Sequence, residues 1–209
     1  GYDTPSRRFF EFMAKLIEGA GYWLHKYNPD GTLASSWHPW YAEGQNQLPI
    51  QEDSTALVVW ALWHHFVLYR DIEFVKALYR PLVKRAADFL SQYRDSRTGL
   101  PAPSYDLWEE RWGVHAFTLA AVYGGLAAAR NFAVCFGDRR RAKEYGEAAM
   151  GMRRAAEKYL YSQDLGRFVR RLVPREFADS NTAPTTAEPM PLSADGRFRL
   201  DPVVDASLY

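Results

Sequence analysis

Two adjacent carboxylates, Glu109 and Glu110, stand between two tryptophans, Trp108 and Trp112. A carboxyl group packed against aromatic rings loses hydration, and because the anion suffers most from this loss, the group tends to keep its proton. A second carboxylate beside it acts in the same direction. A carboxylic acid that still holds its proton near neutral pH is what glycosidic bond cleavage requires of a general acid. These residues are therefore candidates for acid catalysis among aromatic surfaces on which a sugar ring can stack.

The same two carboxylates have a simpler interpretation, as the acidic first turn of a helix. Apolar residues from Val114 onward predict a helix, and glutamate is favoured near a helix N-terminus because exposed N–H groups and the macrodipole attract negative charge. The dipole also favours the anion and so opposes a protonated acid. Residue spacing by itself does not decide between the two interpretations.

The positions of the apolar residues predict two kinds of helix that alternate along the chain. Segments 55–69 and 114–136 are apolar on almost every side, which predicts helices buried on both faces. Segments 74–93 and 138–160 have one apolar and one charged face, which predicts half-exposed helices. A further amphipathic segment is predicted at 5–20, and its inner partner is either missing or lies before residue 1. The predicted fold is all-α, with an inner and an outer layer of helices that form an α/α toroid, and an irregular bundle is the alternative.

Two long connecting segments accompany these helices. The segment 21–47 is rich in aromatic residues, and exposed indoles such as Trp37 and Trp40 could stack on sugar rings or pack the segment onto the helices. The sequence leaves both interpretations open. The segment 161–202 shows little periodicity, apart from a small hairpin predicted at 195–196 by an Asp-Gly pair between apolar residues.

Residues 103–110 read Pro-Ser-Tyr-Asp-Leu-Trp-Glu-Glu. With the small and apolar residues that follow, this stretch resembles the glucoamylase family (glycoside hydrolase family fifteen), and it is more similar to the bacterial and archaeal glucoamylase and trehalase branch than to the fungal enzymes. In that family the first glutamate of a Tyr-Asp-Leu-Trp-Glu-Glu stretch is the catalytic acid. The resemblance implies that Glu109 is the general acid and that Leu107, Trp108 and Glu110 line the pocket for the terminal glucose.

Residues 48–57 read Leu-Pro-Ile-Gln-Glu-Asp-Ser-Thr-Ala-Leu and are similar to the part of the family that opens another inner helix. The resemblance implies substrate contacts from Gln51 and Asp53, and Glu52 beside Gln51 could also bind sugar hydroxyls. Asp53 or Ser54 could instead cap the helix, and capping of backbone N–H groups alone would explain Asp53. In the fungal pattern a tryptophan shortly precedes this segment, and Trp40 or Trp37 is the candidate for its position here. His115 either bonds to the acid or a sugar hydroxyl, or is a buried histidine satisfied by a carbonyl group.

The resemblance implies an inverting exo-acting α-glucosidase that releases glucose from the non-reducing ends of α-glucans and oligosaccharides, on an (α/α)6 barrel of twelve helices. Trehalase or α-1,6-glucosidase activity is the alternative within the family, and a non-catalytic glycan-binding helical toroid is the alternative from another class. The family's general base lies in the C-terminal half of the barrel, and a sugar-holding Trp-x-Arg-Asp segment lies near its start; neither matches this chain. We therefore expect residues 1–209 to be a partial (α/α)6 catalytic domain, about half of the barrel, that is inactive alone.

The composition and charge of the sequence indicate which classes of binding partner are expected. A formal net charge of +1 gives no reason to expect nucleic acid or an anionic membrane as a partner. The sequence has no run of about eighteen apolar residues, so no membrane span is predicted. The absence of a signal-peptide pattern favours a cytoplasmic protein. Cys135 lies in an apolar run and is expected to be a buried, inert thiol. No metal or cofactor is expected, so the predicted partners are the glucan substrate and the remainder of the same barrel.

Overall fold

A computed structural model describes residues 2–37, 40–42, 45–46, 48–175 and 190–204, and it describes only the backbone of residues 41, 42 and 45. Six α-helices account for most of its regular structure. A π-helical segment follows the third helix and another follows the sixth, at Tyr79–Lys84 and Ala156–Leu160. The α-helices are α1 (Asp3–Leu16), α2 (Glu52–Tyr69), α3 (Ile72–Leu78), α4 (Arg85–Gln92), α5 (Ala116–Cys135) and α6 (Arg139–Ala155).

The two apolar helices, α2 and α5, pack against each other along their length. Gly125 makes this close approach possible, because a Cβ atom at that position would lie 2.8 Å from the carbonyl oxygen of Ala56. The amphipathic helices α4 and α6 pack on the outside of this pair, as their one-sided apolar patterns predicted. Pro81 lies within the first π-helical segment, where a residue without a backbone N–H is expected to disturb the helix.

In the described chain the two apolar helices, α2 and α5, are buried on one side and partly exposed on the other, although the sequence predicted burial on both faces. Trp60, Val67 and Leu68 share one side of α2 and are exposed, and we call them the open apolar face. Val134 and Cys135 are exposed at the end of α5. The prediction of a buried thiol was therefore wrong, because the last turn of α5 directs Phe132 and Ala133 inward and the next two residues outward.

Helix α5 is long and apolar enough, by length and composition alone, to cross a membrane. The absence of an uninterrupted apolar run in the sequence therefore did not exclude α5 as a candidate membrane span. Half of its apolar window is buried inside the protein, where it packs against α2 and α6. The core helix of a folded domain has this character, so the finding is weak support for a membrane span.

A small antiparallel sheet, which the all-α prediction did not include, accompanies the helices. Its strands pair in the order β3-β4-β7-β8, and β4 (Trp112–His115) occupies the place where the sequence predicted the start of α5. Gly113 allows the close pairing, because a Cβ atom there would lie 2.6 Å from the carbonyl oxygen of Leu172. The other strands of this sheet are β3 (Ser104–Tyr105), β7 (Arg171–Pro174) and β8 (Phe198–Asp201), and two isolated pairs are β1 (Tyr41–Ala42) with β2 (Gln45–Asn46) and β5 (Tyr161–Ser162) with β6 (Arg167–Phe168).

The predicted hairpin is confirmed at the start of β8. Gly196 has a positive φ of 68°, and the backbone N–H of Ser193 donates to the carbonyl oxygen of Phe198. The hairpin lies in the segment 161–202, which was predicted to show little periodicity. The earlier part of this segment contains strands β5 to β7, and residues 176–189 lie outside the described chain. The long segment before α2 contributes Trp23, which is fully buried in the main core.

Candidate active site

The loop between β3 and β4 carries the motif, and Asp106 organises it. The Oδ1 atom of Asp106 accepts hydrogen bonds from the backbone N–H groups of Glu110 (2.8 Å) and Arg111 (3.2 Å). Its carbonyl oxygen accepts from the N–H of Glu109 (2.9 Å) and from Nε2 of Gln51 (2.6 Å). Sequence reasoning did not assign this role, although aspartate commonly bonds to the backbone of the turn that follows it.

Glu109 turns inward from this loop while its neighbours face outward. Its φ of 58° lies in the left-handed region, which costs a non-glycine residue about 1 kcal/mol or more and therefore requires the surrounding hydrogen bonds to hold it. Glu109 is 5% exposed, whereas Leu107 is 44% and Trp108 60% exposed. Glu110 is also exposed. The loop thus presents one buried carboxyl beneath an open surface of larger side chains.

The buried carboxyl of Glu109 is held by the segment before α2. Its Oε2 atom accepts from the backbone N–H of Trp37 at 2.8 Å and, more weakly, from Nε1 of Trp40 at 3.4 Å. The ring of Trp40 is buried, with its centroid 4.7 Å from that of Tyr105. The other carboxyl oxygen of Glu109, Oε1, lies 3.9 Å from Nε2 of His25. The sequence analysis did not identify His25. Among the described residues both donors bind Oε2, which leaves Oε1 as the atom that can carry a proton.

The residues predicted to bind substrate at the start of α2 are buried and paired with protein groups. Gln51 is bound to the motif loop, and Asp53 accepts from Oγ1 of Thr118 on α5 (3.0 Å) and from the N–H of Ser54 (2.7 Å). Burial raises the pKa of Asp53. Helix α2 begins at Glu52 with Gln51 as its N-cap and without a side-chain cap from that residue. Asp53 is therefore not the N-cap residue, but its bond to the N–H of Ser54 satisfies one backbone donor of the first turn. Gln51 and Asp53 join the loop to the helices, and direct sugar contact from them stays a prediction.

Glu52, between these two residues, is buried, which the sequence did not predict. It is 1% exposed, and within the described part of the chain neither of its carboxyl oxygens has a hydrogen-bond partner. Burial raises its pKa to about 8, and the charge of Asp53 adds to this effect. The neighbouring Ser104 hydroxyl favours the anion, but its own hydrogen bond goes to the carbonyl oxygen of Tyr105 at 3.3 Å. Glu52 is therefore mainly neutral at pH 7.

His115 lies on β4 rather than inside α5. Its Nε2 is 3.2 Å from the carbonyl oxygen of Ser104, which confirms the interpretation as a buried histidine satisfied by a carbonyl group. Burial, followed by the charge of Arg171, lowers its pKa to about 4, so the ring is neutral at pH 7. A hollow of about 10 Å³, enough for roughly one water molecule, separates it from the motif loop; its lining is Asp106, Leu107, Trp108, His115, Phe117, Thr118 and Arg170.

An arginine pair fixes the strand that ends the motif loop. Arg171 donates through Nη1 to the carbonyl oxygen of Trp112 (2.9 Å) and through Nε to Asp201 (3.0 Å). Arg170 binds the same carboxylate. Burial alone would raise the pKa of Asp201, but the two guanidinium groups outweigh this and hold it below its ordinary value. Asp201 on β8 therefore holds Arg171 in the position from which it binds Trp112 on β4. These contacts fix the end of the loop that carries the candidate acid.

Comparison with known proteins gives two matches. A family model described as "Glycosyl hydrolases family 15" matches residues 22–182, which include the motif loop, the start of α2 and His25. A protein of Methanocaldococcus jannaschii named "Uncharacterized glycosyl hydrolase MJ1610" is 32% identical over 168 residues. The matched region is 80% of this chain and 24% of that protein, so the chain spans about a quarter of the length of the curated relative it matches.

Proposed function

Because this chain belongs to glycosyl hydrolases family 15, whose members cleave glycosidic bonds, we propose that it supplies the general acid of an inverting exo-acting α-glucosidase. The proposed substrates are α-glucans and oligosaccharides, from whose non-reducing ends glucose is released. The observation that carries the proposal is the inward-facing Glu109, whose donors among the described residues both bind Oε2, so that Oε1 is left for a proton. Sugar binding by Leu107, Trp108 and Glu110 is part of the same proposal, and their exposure on the loop supports it.

In the proposed reaction Oε1 of Glu109 gives its proton to the glycosidic oxygen as the bond from that oxygen to the anomeric carbon breaks. The anion left on Glu109 keeps the N–H of Trp37 and the more distant Nε1–H of Trp40 as donors, and hydrogen bonds to the charged form stabilise it. A second carboxylate, typically about 6.5–9.5 Å from the acid, would activate water on the opposite face of the sugar. We assign that base to a part of the barrel outside residues 1–209.

The open apolar face supports the view that this chain is about half of a barrel. Trp60 lies against Gly124 of the neighbouring helix and yet remains 43% exposed, and Leu68 is 71% exposed. An exposed apolar patch of this kind is typical of a surface that another element covers. We propose that further inner helices of the same polypeptide cover it and complete an (α/α)6 barrel.

Residues 1–209 alone are therefore expected to release no glucose from maltose, because the proposal places the base outside them. A longer polypeptide that contains both flanking parts of the barrel should release it. Glucose release measured for both proteins at equal concentration checks this prediction, with circular dichroism to show that the shorter one is folded. Turnover by residues 1–209 alone would place the base within this chain and overturn the assignment.

The reaction type and the linkage are tested with the intact protein. We expect hydrolysis of maltose and longer α-1,4-linked oligosaccharides, with β-glucose as the first product seen by proton NMR, because inversion at an α-linked carbon gives the β anomer. α-Glucose as the first product would contradict the two-carboxylate inverting mechanism. Faster hydrolysis of trehalose or isomaltose than of maltose would favour the alternative specificities, and binding of maltose without any hydrolysis would favour the non-catalytic glycan-binding toroid.

A further inference from the structure

We propose that His25 is a positioning residue that keeps the proton of Glu109 on Oε1 until the departing sugar oxygen takes it. The inference rests on the proposed function of Glu109. It concerns a residue outside both motifs, which reaches the carboxyl from the segment before α2.

The position of His25 is set by the backbone on both sides of it. Its own N–H donates to the carbonyl oxygen of Pro49 (3.0 Å), and Leu24 forms an isolated antiparallel bridge with Ile50. These contacts anchor the histidine to the start of α2, the same place from which Gln51 holds the motif loop. The acid and the imidazole are therefore held by one scaffold, and their separation is not left to a free loop.

The imidazole and the carboxyl face each other away from solvent. His25 Nε2 lies 3.9 Å from Glu109 Oε1, and the side chains are 2% and 6% exposed, respectively. Within the described chain neither ring nitrogen of His25 has a partner at ordinary hydrogen-bond distance, and the ring centroids of His25 and Trp40 are 6.0 Å apart. A buried polar nitrogen without a partner is rare and calls for a specific role. A shortening of about 1 Å would bring it within hydrogen-bond distance of Glu109.

The charges around His25 decide which partner holds the proton. Burial is the largest influence and lowers the pKa of His25, and Lys26 lowers it further, whereas Glu109 and the carbonyl oxygen of Ser35 raise it. The net effect is a neutral ring at pH 7. A neutral imidazole has one nitrogen that accepts a hydrogen bond. With Nε2 as that acceptor, the ring favours a proton on Oε1 of Glu109 and gives no charge to stabilise the carboxylate.

The test replaces His25 with phenylalanine, which keeps a buried ring and removes the acceptor. In the intact protein we expect the basic limb of the kcat/KM profile to move to lower pH by roughly 0.5–1 pH unit, because the protonated acid loses the acceptor with which, on this proposal, it forms a hydrogen bond of ordinary strength once the two groups approach. His25→Gln, which restores an acceptor near the position of Nε2, should recover at least half of the shift. An unchanged basic limb in His25→Phe, or a shift to higher pH, would overturn the proposal.

His65→Phe is the matched control. His65 is equally buried and lies 3.7 Å from a carboxylate, that of Asp3, at the far end of α2 from Glu109. We expect the basic limb to stay in place in this variant, and an equal shift would mean that any lost buried histidine produces the effect.

A second readout separates this inference from the proposed function. The infrared C=O band of the protonated Glu109 carboxyl, identified by its absence in Glu109→Gln, can be followed against pH without any turnover. We expect His25→Phe to lose this band at lower pH than the wild-type protein, and loss at the same pH would overturn the proposal. If this shift is seen in a protein that hydrolyses no glucoside, the proposed function fails, whereas the effect of His25 on the proton of Glu109 is retained.

Discussion

The substitution Glu109→Gln is expected to lower kcat of the intact protein on maltose by about 10²- to 10⁴-fold, the usual contribution of a general acid. The amide is nearly the size of the carboxyl and can still accept from the N–H of Trp37, so the loop geometry should persist while the transferable proton is lost. Initial rates of glucose release against substrate concentration measure the effect. KM should change little by comparison, since the acid acts on the reacting oxygen.

The leaving group gives this prediction a sharper form. An aryl α-glucoside whose phenolate leaves readily needs little protonation, so Glu109→Gln should reduce its hydrolysis much less than that of maltose. Equal losses on both substrates would indicate a damaged site and not a missing acid. Glu110→Gln is the comparison variant, because its carboxylate is exposed on the same loop. We expect its effect mainly in KM, as suits a residue proposed to bind sugar.

The second large effect concerns stability, and Glu52 produces it. A buried carboxyl whose pKa rises from 4.5 to about 8 takes up a proton on folding. Its contribution to stability therefore falls as pH rises above 4.5 and becomes constant above about pH 8. Glu52→Gln removes this dependence, so the variant should gain stability relative to the wild-type protein across that window. Because one pKa unit corresponds to about 1.4 kcal/mol, the relative gain is on the order of a few kcal/mol at pH 8.

Thermal unfolding of the intact protein at several values between pH 4 and pH 9 checks this prediction. The buried amide of the variant has N–H groups that need partners, and this changes its Tm by an amount that does not depend on pH. The informative quantity is therefore how the Tm difference between variant and wild type changes with pH. Glu11→Gln, on the exposed face of α1, supplies the background for loss of a solvated carboxylate. A Tm difference for Glu52→Gln that is the same at every pH would show that Glu52 is not buried as a neutral acid.

The helices could be predicted because their signals are local. In α2 and α5 the apolar residues surround the helix, and in α4 and α6 they recur every three or four residues, so neighbouring positions suffice to identify them. The strands could not be predicted in this way. Each has two to four residues, and β4 is a strand because Val114 and His115 pair with residues of β7 far along the chain. Period-two alternation over four residues is too short to compete with the helical pattern that follows it.

By itself, the sequence determined the family, the order of the main helices and the identity of the candidate acid, since each of these depends on residues close together in the chain. Only the tertiary structure decided what surrounds Glu109. Trp37, a donor to its carboxyl, lies 72 residues away in sequence, and His25 is farther still. In the sequence Glu52 was a polar residue that could bind sugar hydroxyls, and only the folded structure shows that it is buried. A carboxyl group's protonation depends on burial and on nearby charges, and these are properties of the folded chain that no local pattern contains.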